Sequence, residues 1–168
     1  MPVETVVVDA LNAQMGREFE AHLQYLEVSS WFDAEGLPEL TRFFANQAAE
    51  EHDHAMKILT FIQDVGGAVA IPSLNAPKAT FESAEEAVGL SLDWENSVTA
   101  HIDAAMDLAR EKNDHATQVF LQWFVTEQVE EVKTMSELLQ VVRRAGDTNL
   151  LLVEEYVARS SPGRDGDG

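Results

Sequence analysis

Cysteine is absent from the chain, which excludes disulfides, zinc–thiolate sites and thiol nucleophiles; any bound metal must be held by oxygen and imidazole nitrogen. Positive charge is scarce as well. Eleven Lys and Arg stand against 30 Asp and Glu, a formal net charge of −19. Such a balance repels nucleic acid and anionic membranes and raises the local concentration of cations, although taken alone it serves solubility equally well. No stretch approaches the roughly 20 apolar residues that a membrane helix requires. The start, Met1-Pro2-Val3-Glu4, has no basic segment leading into an apolar one, as a signal peptide would. A cytosolic protein with neither nucleic acid nor membrane as partner is expected.

Proline and glycine are sparse too, and they fall together: Gly36-Leu37-Pro38, Gly66-Gly67, Ile71-Pro72-Ser73-Leu74-Asn75-Ala76-Pro77 and Gly146-Asp147, with Asn113-Asp114 as a further break. Between these breaks the apolar residues recur with helical period. Four long helices are predicted, over 6–34, 38–65, from the capping-box pattern Ser83-Ala84-Glu85-Glu86 to 112, and over 114–145, followed by a short fifth over 147–159. Pro38 suits a first helical turn and Gly66 a C-terminal cap. The first and third connections are tight. The second is roughly 17 residues with two prolines, long enough to run back along a bundle. The fold class is therefore all-α: two helical hairpins joined by a long crossover, plus a short C-terminal helix. Residues 1–159 form one domain, and the Gly-rich polar segment 160–168 is expected to be a disordered tail.

Alternating steps of three and four trace the stripe that each helix turns to the core. The stripes read Leu11, Met15, Glu18, His22, Tyr25; then Leu40, Phe44, Gln47, Glu51, His54, Ile58, Phe61, Val65; then Val88, Leu92, Glu95, Thr99, Ile102, Met106; and Thr117, Leu121, Phe124, Gln128, Glu131, Met135, Leu138, Val142. Each is apolar towards its ends and acidic in the middle. A single mid-helix glutamate is ordinarily a solvated residue or half of a salt bridge. Four stripes with the same acidic centre and no Lys or Arg are a different matter, since buried carboxylates repel one another unless a cation sits between them. Glu18 and Glu51 lie 33 positions apart, as do Glu95 and Gln128, so the two hairpins present these groups at one depth. Glu51-x-x-His54 and Gln128-x-x-Glu131 each put two ligands one turn apart on one face. The pattern is close to the dinuclear carboxylate bundle of one Glu from each of two helices and Glu-x-x-His from each of the other two, with one departure on the fourth helix.

From about Leu11 to Val157 the chain resembles bacterial ferritins, on Glu18, Tyr25, Glu50-Glu51-His52-Asp53-His54, Glu95 and the run Phe120-Leu121-Gln122-Trp123-Phe124-Val125-Thr126-Glu127-Gln128-Val129-Glu130-Glu131. The resemblance implies a ferritin-like four-helix bundle that stores iron, and a ferroxidase centre with two iron ions per subunit. One ion is held by Glu18, Glu51 and His54, the other by Glu51, Glu95 and Glu131, with Glu51 bridging and Gln128 beside them. It implies a third iron site at Glu50, Glu127 and Glu130, sharing Glu131, and a Tyr25 that supplies an electron. For Tyr25 the plain alternative is a core aromatic with a bonded hydroxyl. The substrates would be Fe2+ and O2 or H2O2, and the assembly a homo-oligomeric cage of 24 subunits closed by the fifth helix, whose other option is packing on its own subunit. Bacterioferritins are similar too, but they carry a second Glu-x-x-His where this chain has Gln128 and Glu131, and their haem-ligating methionine is His52 here. No haem is expected, with His52 itself as an axial ligand the other option. His22 is read as a partner to Glu18 or a satisfied buried histidine, Trp123 as packing, and His101 and His115 as surface residues. A different di-iron enzyme, a peroxidase or oxygenase, and a slow-oxidising metal-buffer cage are the other readings of the same fold.

Overall fold

The computed structural model describes residues 3–160, which form α1 (Thr5–Ala34), α2 (Pro38–Asp64), α3 (Ala84–Glu111), α4 (His115–Ala145) and α5 (Leu150–Ser160), with a 3₁₀ turn at Asp147–Asn149 before α5. The expected tail beyond Ser160 lies outside the described residues. Ser160 itself, expected in that tail, closes α5. No helix among the described residues is long and apolar enough to cross a membrane.

Local chemistry sets the ends. Gly36 takes a φ of +73°, which lets its N–H reach Asp33 O and the Leu37 N–H reach Phe32 O, both at 3.0 Å, so the chain turns straight into Pro38 at the start of α2. At α3 the Ser83 hydroxyl accepts from the Glu86 N–H at 3.1 Å, while the Glu86 carboxylate reaches back to the N–H of Glu82 rather than to that of Ser83. Asp114 caps α4 by accepting from the Thr117 N–H at 3.0 Å and its hydroxyl at 2.6 Å. The fifth helix begins three residues later than the periodicity suggests, because Gly146, at φ +66°, leads into a 3₁₀ turn before α-helical bonding starts.

The helices pack α1 along α2 and α3 along α4, the hairpins meet through α1 and α3, and α5 lies against α2 and α4. The crossover runs over α1. Its extended backbone has no ladder of its own, and side chains of α1 satisfy it. Asn12 donates to Ala68 O and accepts from the Ala70 N–H, and Gln24 does the same for the O and N–H of Lys78, all at 2.9 Å. Gly16 permits the approach: a β-carbon there would lie 2.3 Å from Pro72 Cγ. These duties bury Asn12, Gly16 and Gln24 and widen the buried face of α1 beyond a bundle stripe.

The apolar core is divided. One cluster holds Tyr25, Phe32, Leu40, Phe44, Val88, Leu138 and Val142 with Val153 and Val157 of α5; the other holds Leu11, Met15, Ile58, Ile62, Ile102, Leu121 and Phe124. Between them lies the acidic middle of the stripes. Most stripe residues are buried, but His22, Phe61, Val65, Leu92, Thr99 and Met106 are only half-buried, and Ala21, Ile62 and Val98 are buried in their neighbourhood. A strict heptad step drifts by about 20° per heptad on a straight helix, which carries its far members off the core. Phe61 stacks flat on Phe120, centroids 3.9 Å apart.

Candidate metal centre

The bundle brings six of the expected groups together in its interior: Glu18 from α1, Glu51 and His54 from α2, Glu95 from α3, Gln128 and Glu131 from α4, all buried. Glu18 and Glu95 are 1% exposed and Glu51 2%, too little for water to solvate a charge. Glu18, Glu51 and His54 each offer a ligand atom within 4.8 Å of the others, and so do Glu51, Glu95 and Glu131. Glu51 belongs to both groups.

Three of the four carboxylates are held by neutral donors. Gln14 Nε2 donates to Glu18 Oε1 at 2.7 Å, Gln47 Nε2 to Glu131 Oε2 at 2.8 Å, and Gln128 Nε2 to Glu95 Oε2 at 3.1 Å. The Tyr25 hydroxyl donates to Glu95 Oε1 in a short hydrogen bond. His54 Nδ1 lies 3.3 Å from Glu51 Oε2, the only ion pair these carboxylates make among the described residues. Glu18 Oε2 and Glu51 Oε1 are buried with no hydrogen-bond partner. Buried acceptors without a donor are costly, and two of them facing one pocket are what a metal ion would satisfy.

The electrostatics agree. Burial first, then the neighbouring Glu51 charge, raises Glu18 well above the ordinary carboxylate range. Glu51 is raised well above it by burial and by Glu95, and Glu131 is pushed up to about 8 by burial, Glu95 and Glu50. Glu95 is also raised by burial, against the pull of its bonds from Tyr25 and Gln128. Tyr25 is raised well above the usual phenol range by burial and Glu95, so it stays a hydrogen donor. The pocket is thus primed to exchange protons for divalent cations.

The remaining expected residues fall less simply. Glu127 and Glu131 come together with His54, whereas Glu50 and Glu130 are exposed and enter no such group among the described residues. Glu50 is nonetheless close enough to His54 and Glu127 to feel their charges. His22 does not pair with Glu18; its Nδ1 lies 2.7 Å from the Ala48 carbonyl. Trp123 packs edge-on to His54 at 5.3 Å, with the Lys57 ammonium 4.1 Å from its ring centroid. His115 is exposed, and His101 is half-buried, bonded to the Ser97 carbonyl one turn back. Gln14 was not among the expected residues. Its signal was present, since Gln14 and Gln47 stand four residues before Glu18 and Glu51 and share the 33-residue offset.

Fold and pocket define a class: a helical bundle built around a buried carboxylate site for a pair of metal ions. The comparisons narrow it. Residues 8–145 match the family profile of the ferritin-like domain. The chain is 39% identical to ferritin BfrB of Mycolicibacterium smegmatis over 87% of this chain and 80% of that protein, and 37% identical to the bacterial non-heme ferritin of Staphylococcus epidermidis over 90% and 93%. Its fold superposes on the open-pore ferritin of the archaeon Archaeoglobus fulgidus with a TM-score of 0.90, at 30% identity over 95% of this chain and 99% of that one. The chain belongs to the ferritin family, and its function is iron storage.

Proposed function

We propose that the buried pocket is a ferroxidase centre at which O2 oxidises Fe2+ before the iron is stored. Two Fe2+ ions occupy it, one on Glu18, Glu51 and His54 and the other on Glu51, Glu95 and Glu131. The observation that carries the reading is the membership of Glu51 in both ligand groups, with its Oε1 buried and unpartnered. Two Fe2+ give up one electron each, O2 takes both with two protons to become H2O2, and the Fe3+ products are held by hard oxygen ligands that suit them. Gln128 and Tyr25 fix Glu95, Gln14 fixes Glu18 and Gln47 fixes Glu131, so the ligands meet the ions with little reorganisation. Tyr25, in contact with the ligand Glu95, is placed to give up an electron where O2 is instead reduced to water, which takes four electrons with four protons: two from the paired ions, one from a third Fe2+ and one from Tyr25. Glu127, with Glu50 and Glu130 at the edge, takes a third ion on its way to the mineral.

Two further features of the reading rest on particular residues. Gln128 and Glu131 stand where bacterioferritins have a second Glu-x-x-His, which supports a haem-free ferritin. Leu151 and Leu152 of α5 are 73% and 60% exposed, an apolar pair that a 24-subunit cage would cover.

The test is aerobic addition of Fe2+ to the purified protein, with oxidation followed by absorbance and the iron then followed through size-exclusion chromatography. Rapid oxidation and iron eluting with a large particle are expected, and Glu51→Ala should lower the rate to that of buffer with the particle unchanged in size. Oxidation no faster than buffer in the unmodified chain, or a small particle, would sink the proposal.

A further inference from the structure

We infer that His22 and His52 form a second metal site, outside the buried centre, for a divalent ion that prefers imidazole nitrogen, such as Cu2+ or Zn2+. The two rings come from different helices, His22 from α1 and His52 from α2, and their centroids are 5.6 Å apart with planes at 61°. His22 Nδ1 lies 2.7 Å from the carbonyl oxygen of Ala48, one helical turn before His52. A carbonyl only accepts, so Nδ1 carries the hydrogen and Nε2 is left with the lone pair. His52 Nδ1 faces Asp53 Oδ1 at 3.5 Å, which leaves its Nε2 available. Metal-binding histidines ordinarily hold their other nitrogen against a carbonyl or carboxylate in this way.

The spacing suits one ion. With a metal–nitrogen distance of about 2.0–2.1 Å, each imidazole centroid sits roughly 3.2 Å from the ion, and two on a tetrahedral ion are about 5.2 Å apart. A small side-chain rotation covers the difference from 5.6 Å. Phe19 packs edge-on to His52 at 6.2 Å and limits its alternatives. The pair is separate from the buried centre, because His52, two residues before His54, points from the opposite side of α2 and its side chain is 50% exposed. Two protein ligands leave the remaining positions to water, so this site fills after the buried one. The ligand chemistry differs as well: imidazole draws Cu2+ and Zn2+, whereas the carboxylate pocket suits harder ions.

Electron paramagnetic resonance of Cu2+ tests the site. The assembled full-length protein is first given two equivalents of Zn2+ per subunit, enough for the buried centre alone because that centre fills first, and Cu2+ is then added at one equivalent per subunit. The expected spectrum shows hyperfine splitting from two imidazole nitrogens, lost in His22→Ala and in His52→Ala and retained in Glu51→Ala. His52 is largely on the surface, so His52→Ala is expected to keep the circular dichroism of the unmodified protein. A two-nitrogen spectrum that survives in His52→Ala, one that disappears in Glu51→Ala, or Cu2+ held by oxygen alone overturns the inference. None of these outcomes bears on iron oxidation, so this proposal and the ferroxidase reading fail separately.

Discussion

Tyr25 on α1 donates its hydroxyl hydrogen to Oε1 of Glu95 on α3, and so ties the two hairpins together at the metal pocket itself. Gln128 takes the other oxygen of the same carboxylate from α4. Glu95 is therefore fixed from both sides before any ion arrives. Removing the hydroxyl leaves the ring packed, with its centroid 5.9 Å from that of Phe44, and frees one carboxylate oxygen. Tyr25→Phe is expected to fold normally and to slow initial Fe2+ oxidation by about 10-fold, the lower end of the usual cost of losing a partner to a metal ligand. Stopped-flow absorbance measures it. A rate equal to that of the unmodified protein would reduce Tyr25 to a core aromatic.

The raised carboxylates give the metal-free protein a definite pH dependence. A free glutamate releases its proton near 4.5, and Glu131 in the fold does so at about 8. Between these values the folded chain holds more protons than the unfolded one, so the stability Glu131 contributes is present at the acidic end and lost as pH rises. Glu18 and Glu51 are displaced in the same direction. Thermal unfolding with a chelator present should show Tm falling from about pH 5 to about pH 8, and redox-inert Zn2+ should restore more Tm the higher the pH. Glu131→Gln should flatten the metal-free profile. If its profile overlies that of the unmodified protein, Glu131 is not the group responsible.

The crossover offers a test in which two effects oppose each other. Alanine in place of a mid-helix glycine gains about 1 kcal/mol of helix propensity. At Gly16 its methyl group would meet Pro72 Cγ at 2.3 Å, and such overpacking costs about 1–3 kcal/mol. The cost should win, because Pro72 is anchored on either side by the Asn12 and Gln24 bonds to the crossover. Gly16→Ala is expected to lower Tm and to expose residues 66–83 to proteolysis. Unchanged protection would show that the crossover yields without loss.

On the fifth helix, Glu154 is buried and accepts from the N–H groups of Leu40 at 2.9 Å and Glu39 at 3.1 Å, a carboxylate set on the first turn of α2. Glu154→Ala should destabilise the docked helix by about 1–2 kcal/mol, on the scale of a lost helix cap. Hydrogen exchange would show it as faster exchange in 150–160 with the rest of the bundle unaffected. Equal exchange would mean that Val153 and Val157 alone hold the helix.

These residues mark where sequence reasoning reaches and where it stops. The long helices and the depth of Glu18, Glu51, Glu95 and Glu131 were legible, because both follow from period and offset along one chain. His22 shows the limit of a fixed step, for it follows Glu18 by one turn and yet rotates out to the Ala48 carbonyl. The contact between Gly16 and Pro72 had no local signature at all, since it depends on the path taken by the crossover. Glu154 carries no local signal, because the N–H groups it accepts from, those of Glu39 and Leu40, belong to a helix far away along the chain. That Glu50 and Glu130 stay exposed and outside the ligand groups depends on side-chain orientation, which no spacing encodes.

The division of the apolar core into two clusters bears on how such a molecule can change over generations. Phe32, Phe44 and Leu138 anchor one end and Leu11, Ile58 and Ile102 the other, each set packed through apolar contacts within its own cluster. Heritable variation can therefore alter the ligands, their number and the metals they select while both ends continue to specify the same bundle. Chemistry in this scaffold is a replaceable insert between two permanent walls.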